Sequence, residues 1–111
     1  MSRHPARVTI KTGVTKDGKL VARQCLIHME TGAYADAGPR VTQKAGYRCF
    51  GRTVCRTWQT DAYTVYTNTV PAGAYRGFGT SASDLGVRIA DGYYRREAGS
   101  RSTRFSGSKI C

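Results

Sequence analysis

The sequence has no long hydrophobic run, no paired cysteine motif and few acidic residues, and each shortage excludes a class of protein. Its apolar stretches are only a few residues long, too short to cross a bilayer. The opening residues, Met-Ser-Arg-His-Pro, are not the start of a secretory signal's apolar core. The cysteines at 25, 49, 55 and 111 form no C-x-x-C pair and no zinc-like spacing with histidine. The sequence therefore predicts a cytoplasmic chain with reduced thiols and no membrane partner.

The shortage of acidic residues leaves a formal net charge of +11, from 18 basic and 7 acidic residues. Such an excess suggests nucleic acid or an acidic surface as a partner. The basic residues form no single run, however, and no series of stacking aromatic residues alternates with them. A small basic module that binds nucleic acid or an acidic partner is therefore the alternative function, with little support from the pattern. The length of 111 residues leaves room for one modest core.

The first half of the chain carries the pattern of a β-hairpin. Residues 7–14 alternate with period two and are rich in β-branched side chains, which predicts a half-buried strand. Asp17-Gly18 is a strong hairpin signal, because glycine accepts positive φ without a Cβ clash. Residues 20–29 then predict the return strand, and residues 61–68 predict a further strand. Residues 71–79, punctuated by glycine, predict a loop.

Three segments depart from this pattern. Thr31 to Pro39 contains Thr-Gly-Ala-Tyr and Gly-Pro, which predict a loop. Residues 51–58 interrupt the strand pattern. Residues 82–111 form the third segment, because 95–109 are rich in Arg, Ser and Gly and have no apolar period. We therefore expect the C-terminal part, 82–111, to be disordered.

Residues 67–79, Thr-Asn-Thr-Val-Pro-Ala-Gly-Ala-Tyr-Arg-Gly-Phe-Gly, resemble the active-site loop of the xanthine dehydrogenase and aldehyde oxidase family. These enzymes are molybdenum hydroxylases, and the match is to their molybdopterin-binding large subunit or domain. Motifs further upstream match in the same order: Arg3-His4-Pro5-Ala6-Arg7, Lys11-Thr12-Gly13, Asp17-Gly18 and Thr31-Gly32-Ala33-Tyr34. The resemblance covers 2–50 and 60–81. It implies an α+β fold in which residues 1–81 form part of the molybdopterin-binding domain.

The genetic code offers an explanation for the two segments, 51–58 and 82–111, that lack the resemblance. Codons available to residues 52–58, read one base earlier, permit P-Y-R-V-P-N-V, which the family carries at this place. Codons for residues 82–104, read one base later, permit an amphipathic helix similar to the family's. A further shift lets residues 106–111 encode F-R-L-K-N-L. We interpret the chain as a frameshifted fragment of a large-subunit gene, with Met1 an internal methionine.

The resemblance implies roles for five residues. The cofactor would be bound by Arg76, Gly77 and Gly79. The Arg76 cation would lie against the molybdenum centre. The two glycines would let the cofactor approach the backbone closely. Phe78 would form a wall of the substrate pocket, where a flat aromatic substrate packs on its ring. Lys44 falls near the place where xanthine-specific members carry an arginine. In the plainer alternative, Arg76 is a surface cation, Phe78 an ordinary core residue and Lys44 a solvated loop lysine.

Lysine keeps the charge of an arginine but lacks its planar fork of donors. The resemblance therefore implies oxidative hydroxylation, with water as the oxygen source, of an aldehyde or an N-heterocyclic or aromatic substrate in preference to xanthine. It also implies molybdenum–molybdopterin as the cofactor of the parent enzyme. Iron–sulfur and FAD subunits or domains, which carry the electrons away, would be its partners.

Several parts of the family's active site have no counterpart in these residues. The family's general-base glutamate lies far downstream, and its upstream glutamine and Gly-Gly-Phe-Gly loops are also unmatched. His4 and His28 have no partner at metal-ligand spacing. We therefore assign no catalytic residue and no metal ligand, and expect the fragment alone to retain no cofactor and to be inactive.

Overall fold

The computed structural model describes residues 2–17, 19–50, 55–96 and 103–110. A mixed sheet, in the order β3-β2-β1-β4, packs with two helices, which confirms the predicted α+β class. Within these ranges, no helix combines the length and apolar character that crossing a membrane requires. In chain order the elements are β1 (Ala6–Val14), β2 (Leu20–Gly32), α1 (Gly38–Arg48), β3 (Thr57–Tyr66), α2 (Thr80–Arg96) and β4 (Thr103–Ile110).

Strands β1 and β2 form the predicted hairpin and supply most of the core. They pair antiparallel, with Ile10 opposite Cys25 and Val8 opposite Ile27. These four side chains are buried, while alternate residues of both strands point outward, as the period of two requires. The Thr15 amide donates to the Lys19 carbonyl at 2.9 Å and closes the turn. Gly18 of the predicted Asp-Gly turn lies outside the described residues.

Helix α1 replaces part of the loop that Gly38-Pro39 predicted, and the sequence pattern missed it. Proline is well tolerated in the first turn of a helix, because its missing N–H would have no intrahelical partner there. Pro39 occupies that first turn. Val41, Ala45 and Cys49 follow at intervals of four and are buried against the sheet. Gly-Pro therefore begins a helix here.

Strand β3 begins four residues earlier than predicted, at Thr57, and ends at Tyr66. It pairs parallel with β2 in a register that places Ala22 opposite Thr57 and Ile27 opposite Ala62. Parallel neighbours need a long crossover, and α1 lies within it. Strand period carries no information on direction, so the sequence could not predict this pairing.

Residues 82–96 were expected to be disordered, and the structure instead places them in α2. The helix buries Ser83, Gly86, Val87 and Ala90, which share one face at intervals of three and four. Strand β4 then pairs antiparallel with β1. The pattern of small residues on this face was too weakly apolar to predict a helix. Residues 97–102 and 111 lie outside the described residues, as do 51–54 of the interrupting segment.

Cys25 and Cys49 form a disulfide, so the expectation of reduced thiols is wrong for this pair. Cys25 lies on β2, Cys49 follows α1, and their Cα atoms are 6.5 Å apart. Both are fully buried, and packing α1 on the sheet brings them together. The cysteines are 24 positions apart, a separation that gave no signal at the level of sequence. Cys55 is a free, half-buried thiol, and Cys111 lies outside the described residues.

Reduction of this disulfide is expected to lower the free energy of unfolding by about 3.5 kcal/mol, the value that loop-closure entropy gives for a loop of this length. Urea unfolding of the 111-residue chain, oxidised and after reduction, measures the difference. Cys49→Ser should reproduce the loss, and Cys55→Ser is the matched control that should leave the oxidised midpoint unchanged. Equal midpoints for the oxidised and reduced chains would contradict the assignment.

Candidate functional site

The glycine-rich loop is held by the end of β2. Gly32 has φ of +78°, and a Cβ built on it would lie 2.6 Å from the Val70 carbonyl oxygen, so only glycine fits this close approach. Backbone hydrogen bonds join the two segments, from the Thr67 amide to the Gly32 carbonyl at 3.1 Å and from the Ala72 amide to the Thr31 carbonyl at 3.1 Å. These hydrogen bonds fix the start of the glycine-rich loop, 71–79, against the end of β2.

A series of left-handed residues follows between Tyr75 and Thr80. The values of φ are +98° at Gly77, +46° at Phe78 and +85° at Gly79. The Phe78 amide donates to the Tyr75 carbonyl at 2.9 Å, and the Thr80 amide donates to the Gly77 carbonyl at 3.0 Å. A bulky residue with positive φ is uncommon and costs of order 1–3 kcal/mol. Such a conformation at Phe78 is a feature that functional loops often show.

The two glycines of this loop serve different purposes. A Cβ on Gly79 would lie 2.5 Å from the Val41 carbonyl oxygen, so this glycine lets the loop pack against α1. A Cβ on Gly77 would meet nothing closer than the Ser81 hydroxyl at 3.5 Å, so its requirement is positive φ alone. The close contact with α1 is therefore enough to explain why position 79 is a glycine. That Gly79 also lets the cofactor approach the backbone stays a prediction.

A cavity of about 360 Å³ lies between this loop, the N-terminal segment and the start of α2. Its polar wall carries two arginines and a histidine, and its apolar wall comes from β2, α1 and α2. The lining residues are Arg3, His4, Met29, Val41, Gly73, Tyr75, Arg76, Gly79, Ser81, Ala82 and Leu85. None of these lining residues is acidic, so the cavity presents positive charge together with hydrophobic surface.

The five predicted site residues fall into two neighbouring groups. Arg76 and Gly79 line the cavity, and Arg76 is exposed. Phe78 is half-buried against the core, and its ring centroid lies 5.5 Å from Lys44 Nζ, a cation–π distance. Gly77 lies between the groups. Neither Phe78 nor Lys44 is among the cavity-lining residues, so the predicted substrate pair lies beside the cavity rather than in its wall.

His4 is a member of the cavity wall that sequence reasoning missed. Its Nδ1 donates to the Glu30 carbonyl at 2.9 Å, and the Glu30 amide donates to the Pro5 carbonyl at 2.9 Å. The residue is 8% exposed, and its Nε2, which is shielded from solvent, has no hydrogen-bond partner among the described residues. The ring's partner is 26 positions away, so no spacing rule could have indicated this geometry.

A cation–π contact joins two residues of the cavity lining. The Arg3 guanidinium lies 5.1 Å from the centre of the Tyr75 ring, within cation–π range. In the described ranges, no three His, Cys, Asp or Glu side chains are grouped to hold a metal ion. The site's chemistry in this part of the chain therefore lies in cations, one imidazole and backbone groups.

Known proteins match the part of the chain that contains the cavity and the glycine-rich loop. A family model described as molybdopterin cofactor-binding domain matches residues 1–86. The chain is 48% identical to the nicotinate dehydrogenase large molybdopterin subunit of Eubacterium barkeri over 83 residues, which are 75% of this chain. Over 79 residues, 71% of the chain, it is 39% identical to a probable xanthine dehydrogenase subunit of Bacillus subtilis (strain 168). The chain spans only 20% and 11% of these two relatives.

A solved structure shows the same fold. The aldehyde oxidoreductase from Desulfovibrio gigas superposes with a TM-score of 0.77 over 96% of this chain. The sequence identity is 21%, and the match covers 13% of that protein. The likeness therefore supports the arrangement of sheet and helices, including the segment of α2 that the sequence pattern did not predict.

Proposed function

The chain belongs to the molybdopterin cofactor-binding domain family, and we propose that it supplies one wall of the molybdenum site in a hydroxylase large subunit. The observation that carries the proposal is the cavity, where Arg76 of the Arg-Gly-Phe-Gly loop and Arg3 present two guanidinium groups and no described lining residue is acidic. Both groups suit the oxygen atoms of a polar, anionic cofactor. The residues present therefore fit the group.

Arg76, with the backbone of Gly77 and Gly79, would hold the cofactor on this side. Molybdenum–molybdopterin, when bound, supplies the two-electron oxidation that protein side chains cannot perform. Arg76 would then place a positive charge beside oxygen that gains negative charge during the reaction. Met29, Val41 and Leu85 supply the apolar part of the cavity lining.

The substrate is proposed to meet Lys44 and Phe78. Lys44 offers a point charge above an aromatic ring, an arrangement that suits a carboxylate or carbonyl oxygen on a flat substrate. The relative at 48% identity is named a nicotinate dehydrogenase, and nicotinate is an aromatic N-heterocycle with a carboxylate. We therefore propose an aldehyde or an N-heterocyclic or aromatic substrate rather than xanthine.

Lys44→Arg is expected to shift the ratio of kcat/KM values toward xanthine by roughly 10–200-fold, the range of a single pocket contact. The host is the frame-restored parent, meaning the full-length protein that the fragment interpretation implies. A paired assay on xanthine and a panel of aldehydes and N-heterocyclic carboxylates measures the ratio. Arg40→Lys, an exposed position one turn earlier on α1, is the control. A parent that prefers xanthine, or an unchanged ratio in Lys44→Arg, would return Lys44 to the role of a solvated lysine.

The 111 residues alone are proposed to be insufficient for cofactor retention. They span between 11% and 20% of the curated relatives compared above, so most of each relative's length lies in other segments. The two relatives are named as subunits, which supports iron–sulfur and FAD modules as partners of the parent. Metal analysis of both purified proteins tests the proposal. Molybdenum in the parent and none in the short chain is expected, and a parent that never retains molybdenum would refute the proposed function.

A further inference from the structure

Strand β3 forms an edge of the sheet that the described residues leave open. The strand order ends at β3 in this part of the chain, so one row of its backbone N–H and C=O groups has no strand partner there. All ten of its residues are exposed or half-buried. Its exposed large side chains are Trp58, Tyr63, Val65 and Tyr66. A long, exposed edge with apolar side chains favours pairing with another strand.

The charge on β3 favours a second copy of this chain as the partner. Edge strands are often protected by lysine or proline, which oppose pairing with another chain. Strand β3 contains neither, and Asp61 is its one charged residue. The other edge strand, β4, contains Arg104 and Lys109. Two copies that each carry a net charge of +11 repel each other, so of the two edges β3 is the one where they meet the least repulsion.

A groove of about 420 Å³ lies beside this edge, between α1 and β3. The residues that line it are all uncharged: Pro39, Thr42, Gln43, Gly46, Tyr47, Trp58, Thr60, Ala62 and Thr64. Tyr47 and Trp58 are 62% and 50% exposed, so the groove presents aromatic surface next to the open edge. A neutral surface of this kind suits an aromatic side chain rather than an ion.

The sequence of β3 is nearly symmetric about Ala62, which makes the strand complementary to its own copy. Trp58 and Tyr66 lie four positions to either side, and Thr60 and Thr64 lie two positions to either side. When two antiparallel copies are related by a two-fold axis at Ala62, each residue lies opposite its mirror position on the same face of the sheet. Aromatic pairs and threonine pairs across strands both stabilise a sheet.

We infer that two copies of this chain form a dimer by pairing their β3 strands antiparallel, with the two-fold axis at Ala62. The sheet of one copy then continues into the sheet of the other. In this register Asp61 lies opposite Tyr63 of the second copy, so the two carboxylates are not opposed. Tyr66 of the second copy lies opposite Trp58, at the groove. The inference goes beyond the proposed function and requires no cofactor.

Sedimentation velocity of the oxidised 111-residue chain over a range of concentrations measures the oligomeric state. A monomer–dimer equilibrium is expected. Ala62→Lys places two ammonium groups opposite each other at the axis and should weaken dimerisation roughly tenfold or more. Ala74→Lys is the matched control, because it makes the same change at an exposed position in the glycine-rich loop, and it should dimerise like the parent chain. Urea unfolding of both variants checks that each retains its fold.

Disulfide cross-linking tests the register and does not depend on the folding of Ala62→Lys. Ala62→Cys and Gln59→Cys, both at exposed positions on β3, are oxidised in a background of Cys55→Ser and Cys111→Ser. Directly opposite residues have Cβ atoms about 4.5–5.5 Å apart, close to the reach of a disulfide. The two copies of position 59 would be six positions apart along the strands, about 20 Å. Ala62→Cys should therefore form a covalent dimer, and Gln59→Cys should not.

Three results would overturn the inference. The chain could remain monomeric at every concentration or assemble into species larger than a dimer. Ala62→Lys could dimerise as well as Ala74→Lys. Cross-linking could be equally efficient at positions 59 and 62. A parent protein that lacks molybdenum would refute the proposed function and leave these measurements unaffected, so the two failures are distinguishable.

Discussion

Arg76→Ala in the frame-restored parent is expected to reduce kcat per bound molybdenum by about 10²–10³-fold, with protein yield nearly unchanged. Arg76 lines the cavity that the cofactor is proposed to occupy, and its cation would act on charge that develops in the transition state. Losing one such preorganised group typically costs a factor of this size. Steady-state kinetics and metal analysis on the same preparation measure both quantities.

Arg40→Ala is the matched control for that experiment, because it removes the same charge from an exposed position on α1. The control should keep parental kcat. If Arg76→Ala keeps parental kcat with molybdenum still bound, Arg76 is the surface cation of the plainer alternative. If molybdenum is lost together with activity, Arg76 holds the cofactor but its role in the transition state is unsupported.

Asp91→Ala is expected to lower the free energy of unfolding of the 111-residue chain by about 3–5 kcal/mol. Asp91 on α2 accepts a hydrogen bond from Arg23 on β2, whose side chain is only 1% exposed. Arg23 also donates to the Phe50 carbonyl at 3.1 Å, so one guanidinium joins three segments. Removing the carboxylate leaves a buried charge without its counter-ion, which is strongly destabilising.

Asp84→Ala supplies the control on the same helix. Asp84 pairs with Arg88 at 2.9 Å, four positions apart, and both side chains are substantially exposed. Such a pair contributes about 0.5 kcal/mol or less. Urea unfolding of both variants therefore compares a buried pair with an exposed one. Equal midpoints for Asp91→Ala and Asp84→Ala would show that α2 does not pack on the sheet in solution.

The parts of the fold that the sequence predicted are those governed by local pattern. Alternation in β1 and β2 follows from burying one face of a sheet, so residues 7–14 and 20–29 were sufficient to predict the hairpin. Helix α1 was missed because Gly38-Pro39 is compatible with both a loop and a helix start. The parallel direction of β3 and the Cys25–Cys49 pair depend on how distant segments pack, which no local pattern records.

The candidate site divides in the same way. The Arg76-to-Gly79 loop was found because its residue types and order are distinctive. The tight contact between Gly79 and Val41 was not predicted, because the sequence pattern missed α1. His4 escaped because its position in the cavity wall comes from burial and from a hydrogen bond to the Glu30 carbonyl, and neither is visible in a His-Pro dipeptide. Sequence thus indicated the candidate loop, and structure showed which side chains share its cavity.

The most direct test of the central claim locates molybdenum relative to this loop. Crystals of the frame-restored parent, measured at the molybdenum absorption edge, give an anomalous peak at the metal. The account predicts that the peak lies beside the cavity lined by Arg76 and Gly79. A peak elsewhere in the large subunit, with the Arg76-to-Gly79 loop remote from it, would contradict the proposal that this chain forms a wall of the molybdenum site.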